Sequence, residues 1–146
     1  MGIATTHFSA LGRIYRPTFD RYRDYEESGS LFVVTARDQD RLAGFAIMYV
    51  FCSMHDQSLA AQEDFFYLLP EYRRGWNAVH LLSAVERECA RRGVTEVHMT
   101  VENGNPAGHI LSARGYAAEA RCYRKSLVRA DSPSTAEAVD ESLPVS

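Results

Sequence analysis

The stretch Leu68–Glu86, LLPEYRRGWNAVHLLSAVE, decides how the rest of the chain is read. An apolar run ends at Pro70, a short loop carries Arg73, Arg74 and Gly75, and an amphipathic pattern follows at once. From Trp76 to Arg92 the residues Ala78, Leu81, Leu82, Val85 and Cys89 fall on one helical stripe, and Gly93 supplies the stop. The segment therefore reads strand, loop, helix. A helix N-terminus presents unpaired N–H groups and the positive end of a dipole, which together suit a pyrophosphate. Arg73 and Arg74 add charge-assisted contacts, and Gly75 lets backbone come close to a phosphate. An ordinary turn with solvated arginines uses the same residues, so the loop alone leaves both readings open.

Working outward, Asp20–Ser28 suits a polar helix stopped by Gly29. Leu31–Ala36 and Leu42–Ser53 form a hairpin around the turn Arg37–Arg41, with β-branched and aromatic bodies. Met54–Ala61 is polar, and Asp64–Leu69 makes a third strand. Beyond the long helix, Val94–Val101 alternates as a strand, Pro106–Arg114 is a short helix with Gly115 past its end, and Ala118–Val128 is strand-like. Antiparallel strands feeding a β-α-β crossover imply an α/β (α+β) fold, a mixed, mostly antiparallel sheet flanked by helices.

The length of 146 residues suits one domain with a real core. Residues 1–130 are read as that domain, and 131–146 (DSPSTAEAVDESLPVS) as a disordered acidic Ser/Pro tail. The net charge of −3 owes much to that tail: 15 acids face 16 cations before residue 131, too mild a balance for nucleic acid. The longest apolar run, Ala43–Cys52, is too short to cross a bilayer, and no secretory leader is visible. Cys52, Cys89 and Cys122 show no metal-ligand spacing, and they are expected to be reduced, buried packing residues of a cytoplasmic protein. No metal is called for.

The segment EYRRGWNAVHLLSAVE resembles the CoA-binding motif of the GNAT acetyltransferase superfamily, a loop Arg/Gln-x-x-Gly-x-Gly/Ala before a helix. The match continues through EVHMTVENGN and ILSARGYAAEARCYRKSL, and covers roughly Leu31 to Leu127 in the family's element order. HDQSLAAQEDFFYLLPEYRRG is especially similar to small members encoded by bacteriophages, which would place the chain in a host cytoplasm. Two positions depart from the pattern. Trp76 stands where the family has its first loop glycine, and Leu111 stands where many relatives carry a tyrosine that protonates the leaving thiolate.

What the resemblance implies is an N-acetyltransferase using acetyl-CoA as cosubstrate and a splayed strand pair to hold it. The cofactor-binding residues implied are Leu68 and Leu69 through their backbone, then Arg73, Arg74, Gly75, Trp76, Asn77 and Ala78, and the turn residues Asn103 and Asn105. ENGNP is also a strong turn signal in its own right. The base in many relatives is an acid at the start of the splayed strand. Strict alignment puts Gln62 there, followed by Glu63 and Asp64. These two acids point to opposite faces of a regular strand, so only one faces the cleft unless a bulge intervenes. Parity with Phe66 and Leu68 ranks Asp64 first and Glu63 second. For the acid, Tyr123 is preferred over Tyr116 and His109, while His55 could line an acceptor site.

The acceptor is a small-molecule or protein amine that the sequence does not specify, and a homodimer is compatible with it. Two other readings stay open. One is a catalytically silent acetyl-CoA sensor or interaction module, favoured by Leu111 and Gln62. The other is a generic α/β phosphate-binding domain without a pantetheine arm.

Overall fold

Residues 16–125 and 127 are described by the computed structural model. A polar helix, α1 (Phe19–Glu27), leads into β1 (Leu31–Asp38) and β2 (Arg41–Cys52). β3 (Leu59–Leu68) follows, then a 3-10 turn at Pro70–Tyr72 and the long helix α2 (Asn77–Arg91). A short β4 (Glu96–His98) and α3 (Ala107–Ala113) complete the described elements. The sheet order is β1-β2-β3-β4; the first two pairings are antiparallel and the last is parallel, joined by α2. This is the mixed, mostly antiparallel sheet with flanking helices that the sequence implied.

The apolar stripe of α2 explains where that helix lies. Leu81, Val85 and Cys89 pack on Phe32, Ala46, Met48, Ala61 and Leu68 of the sheet, with Ala78 packed against the cluster. Each large apolar side chain fully withdrawn from water contributes about 1.5–3 kcal/mol, so the helix is held by packing far more than by propensity. At its C-terminal end Arg92 stacks over Phe32, 4.7 Å from the ring centroid, and also bonds Glu88. Gly44 sets the spacing of β2 and β3: a Cβ there would lie 2.4 Å from the carbonyl oxygen of Tyr67.

Four expectations need correction. β3 begins at Leu59, well before Asp64, because the connection from β2 is tight: Ser53 donates to the carbonyl of Ser58, and Asp56 accepts from the Ser58 N–H and hydroxyl. The strand expected over Val94–Val101 is confined to Glu96–His98, since Thr100 is turned toward the side chains of Gln62 and Glu63. No strand forms over the described residues of Ala118–Val128; they run exposed, and β4 offers only three residues for pairing. Of the cysteines only Cys89 is buried; Cys52 and Cys122 are exposed. The expectation for 131–146 lies outside the described residues.

Candidate active site

The pairing of β3 with β4 is brief. Ala60, Ala61 and Gln62 face Glu96, Val97 and His98, and from Glu63 onward β3 has no partner on that side among the described residues. The two strands part at the point where β3 is also irregular. Ile47 pairs with Phe65 and Met48 with Glu63, so Asp64 is an extra residue in the β2–β3 ladder. A bulge of this kind breaks strict alternation and re-aims neighbouring side chains. Glu63 and Asp64 lie side by side at this bulge and face different neighbours.

Glu63 faces the parting strands. Its carboxylate accepts the N–H of Thr100 at 3.3 Å, while the amide of Gln62 donates to the Thr100 hydroxyl at 3.3 Å. Burial pushes the Glu63 carboxyl above the usual range; the Thr100 N–H opposes the shift and the neighbouring Asp64 charge adds to it. Asp64 turns toward α1, where the hydroxyl of Tyr22 donates to it at 2.9 Å. Burial raises the Asp64 carboxyl too, and the Tyr22 bond pulls it back. Two carboxyls side by side with raised affinities for protons are suited to accept a proton from an amine.

At the far end of β3 the loop divides its two arginines. Arg73 is engaged within the chain: its Nε donates to the Leu68 carbonyl at 2.8 Å and its guanidinium lies 5.2 Å from the Tyr67 ring centroid. Arg74 is exposed. Gly75 has φ +61, a conformation that favours glycine, with open space on its Cβ side. No side chain caps α2, so N–H groups of its first turn remain available to an anion. Trp76 is 71% exposed beside this helix start, and Asn77 donates to the Tyr72 carbonyl at 3.0 Å.

Other candidates fall as follows. Backbone groups of the two leucines are already used: the Leu68 carbonyl by Arg73, the Leu69 N–H by Ala43 and the Leu69 carbonyl by Tyr72. The free edge of β3 therefore belongs to residues 63–67, upstream of Leu69. Asn105 caps the short helix through Ala107 N–H at 2.9 Å, and Asn103 is exposed in the same turn. Tyr116 has its hydroxyl buried near Glu86 without a well-formed hydrogen bond, and burial pushes it up to about 12. Tyr123 is 88% exposed, and among the described residues no strand carries it to the cleft. His55 and His109 are exposed. Sequence reasoning missed Tyr22, Tyr49 and Thr100, which reach the site from three different segments. A cavity of about 630 Å³ adjoins the arginine loop, between the end of β1 and the start of α2, lined in part by Arg37, Leu68, Tyr72, Arg74, Asn77 and His80.

Residues 5–116 match the family model for the acetyltransferase (GNAT) family. The chain belongs to that family. Solved structures agree with the GNAT fold. An aminoglycoside acetyltransferase from an uncultured soil metagenomic sample superposes with a TM-score of 0.69 at 16% identity, over 86% of this chain and 88% of that one. A putative acetyl transferase from Pyrococcus furiosus gives 0.62 at 18% identity, over 84% and 89%. A ribosomal-protein-alanine N-acetyltransferase from Brucella melitensis gives 0.61 at 17% identity, over 84% and 88%. At these identities the likeness is one of fold. The comparison with curated proteins gives no match. This GNAT chain thus keeps the family's parted strands and helix-start loop while carrying Trp76 and Leu111 at two of the motif positions.

Proposed function

We propose that the chain transfers an acetyl group from acetyl-CoA to an amine by direct attack of the amine on the thioester. The observation that carries this reading is the parting of β3 from β4 at the two carboxyls, in line with an uncapped helix start and an exposed arginine. Arg74, the Gly75–Trp76 backbone and the first turn of α2 would hold the pyrophosphate, with Ala78 keeping the helix close to the sheet. Arg73 fixes the loop from beneath through Leu68 and Tyr67. The free edge of β3 offers N–H and C=O groups to an extended amide-bearing arm, as a strand edge does to a peptide. Acetyl-CoA supplies the activated acyl group and a thiolate leaving group.

Glu63 then takes the proton from the acceptor ammonium, directly or through one water, so that a neutral amine can attack. Asp64 stands beside it as the second acid. Leu111 has nothing to donate to the departing thiolate and Tyr123 is exposed on no described strand, so the thiolate takes its proton from water. The same Leu111 favours a second reading, a GNAT domain that binds acetyl-CoA without turning it over.

One assay separates the two. Thiol release from acetyl-CoA is measured in steady state against a panel of amines, for the native chain and Glu63→Gln. Turnover with some amine, reduced ~10²–10⁴-fold in the variant, is the expected result. Binding of acetyl-CoA with no amine-dependent release from either protein overturns the enzyme reading.

A further inference from the structure

Asp64 sits among tyrosines contributed by two other elements. Tyr22 of α1 donates its hydroxyl to the carboxylate at 2.9 Å. The Tyr25 ring, one helical turn on, meets the Tyr49 ring of β2 edge-on, with centroids 5.9 Å apart and planes at 85°. Burial raises the Tyr49 hydroxyl, and the Asp64 charge adds to the shift. None of the four is fully buried, and Tyr25 is 45% exposed. A half-buried carboxylate beside tyrosine rings that keep some exposure is an environment that retains an organic ammonium ion: the carboxylate gives a charge-assisted hydrogen bond and an exposed ring adds cation–π attraction.

We propose that Asp64, with Tyr22, Tyr25 and Tyr49, is the binding site for the acceptor's positive charge, and that the acceptor is an alkyl amine carrying no carboxylate close to that charge. The inference rests on the acetyl transfer proposed above and names its substrate class. The division of labour follows from the bulge. Glu63 faces the parted strands and handles the proton, while Asp64 faces α1 and holds a cation. An acceptor bearing its own carboxylate would meet two like charges at once, which disfavours it. Tyr22 is a positioning residue, because it acts through the Asp64 carboxylate. The Tyr22–Asp64 bond also fastens α1 to the sheet, and the experiment distinguishes fastening from recognition.

The full chain, with carbon-13 in its aspartate carboxyls, is followed by NMR, the Asp64 resonance being assigned with Asp64→Asn. Three length-matched probes are titrated: 1,4-diaminobutane, 1,4-butanediol and 4-aminobutanoate. The diamine is expected to shift the resonance saturably, the diol not at all, and 4-aminobutanoate to bind about tenfold more weakly or worse. In Tyr22→Phe, which keeps the ring, the Asp64 titration midpoint moves up and the diamine binds more weakly, since a bond favouring the ionised form is gone. Absence of a saturable shift with the diamine, or equal diamine affinity in Asp64→Asn measured by calorimetry, overturns the proposal and leaves Tyr22–Asp64 as a fastener. Acetyl-CoA titrated into the same samples reports separately on the proposed function: cofactor binding without a diamine response overturns the cation site alone. A diamine response without cofactor binding overturns the transferase reading instead.

Discussion

Glu63 is held at the parted strands with its carboxyl raised by burial, and that has a consequence for stability as well as for chemistry. A carboxyl that binds its proton more tightly when folded favours the fold at low pH. That contribution is lost as pH rises from the unfolded value, about 4.3, through the folded one. Glu63→Gln should therefore melt higher than the native chain at pH 7, and the difference should close below about pH 4, as read by thermal melts across pH. The same variant should lose activity, and a gain in stability with a loss of turnover would mark a residue strained for function. The two arginines make a second pair of predictions. Arg74→Ala should weaken acetyl-CoA binding about tenfold or more with an unchanged melting temperature. Arg73→Ala should lower the melting temperature as well, because it takes away the Leu68 and Tyr67 contacts. Equal behaviour of the two variants in both measurements would contradict this division.

Among the elements, the β2–β3 ladder and α2 carry the architecture, and each has a position where one atom matters. At Gly44 a methyl group would have to displace the β3 backbone at Tyr67, since strand and strand meet there without room. Gly44→Ala should cost about 1–3 kcal/mol, visible in urea melts, and should disturb cofactor binding by moving the free edge of β3. A variant as stable as the native chain would show that the two strands can separate freely. At the end of α2, Glu88 bonds both Arg91 and Arg92, which hold its carboxyl down at about 2. A carboxyl lowered in this way supports the fold above its unfolded value and ceases to as pH falls toward the folded one. The melting temperature of Glu88→Gln should thus fall below that of the native chain at pH 6 and converge with it near pH 2. The difference should be small and shrink in high salt, because the group lies near the surface.

For the molecule as a whole, the sequence made legible what depends on regular periodicity. The stripe Ala78, Leu81, Leu82, Val85, Cys89 placed α2, and the β-branched and aromatic runs around Arg37–Arg41 placed the hairpin. What it did not make legible depends on register or on distance along the chain. The bulge at Asp64 changes the pairing by a single residue, and no composition signal marks it. Parity arguments assume a regular strand, whereas the bulge turns Glu63 toward Thr100 and Asp64 toward Tyr22. Tyr22 meets Asp64 across 42 positions, a contact that only the docking of α1 creates. The terminal segment reads as strand-like, yet no strand forms over its described residues.

The central claim is that acetyl-CoA is held by the α2 start and the free edge of β3. Calorimetric titration of acetyl-CoA into the native chain and into Arg74→Ala tests it most directly. Saturable one-to-one binding to the native chain, weakened about tenfold or more by the substitution, is the expected result. Failure of the native chain to bind acetyl-CoA, or binding that Arg74→Ala leaves unchanged, would contradict it.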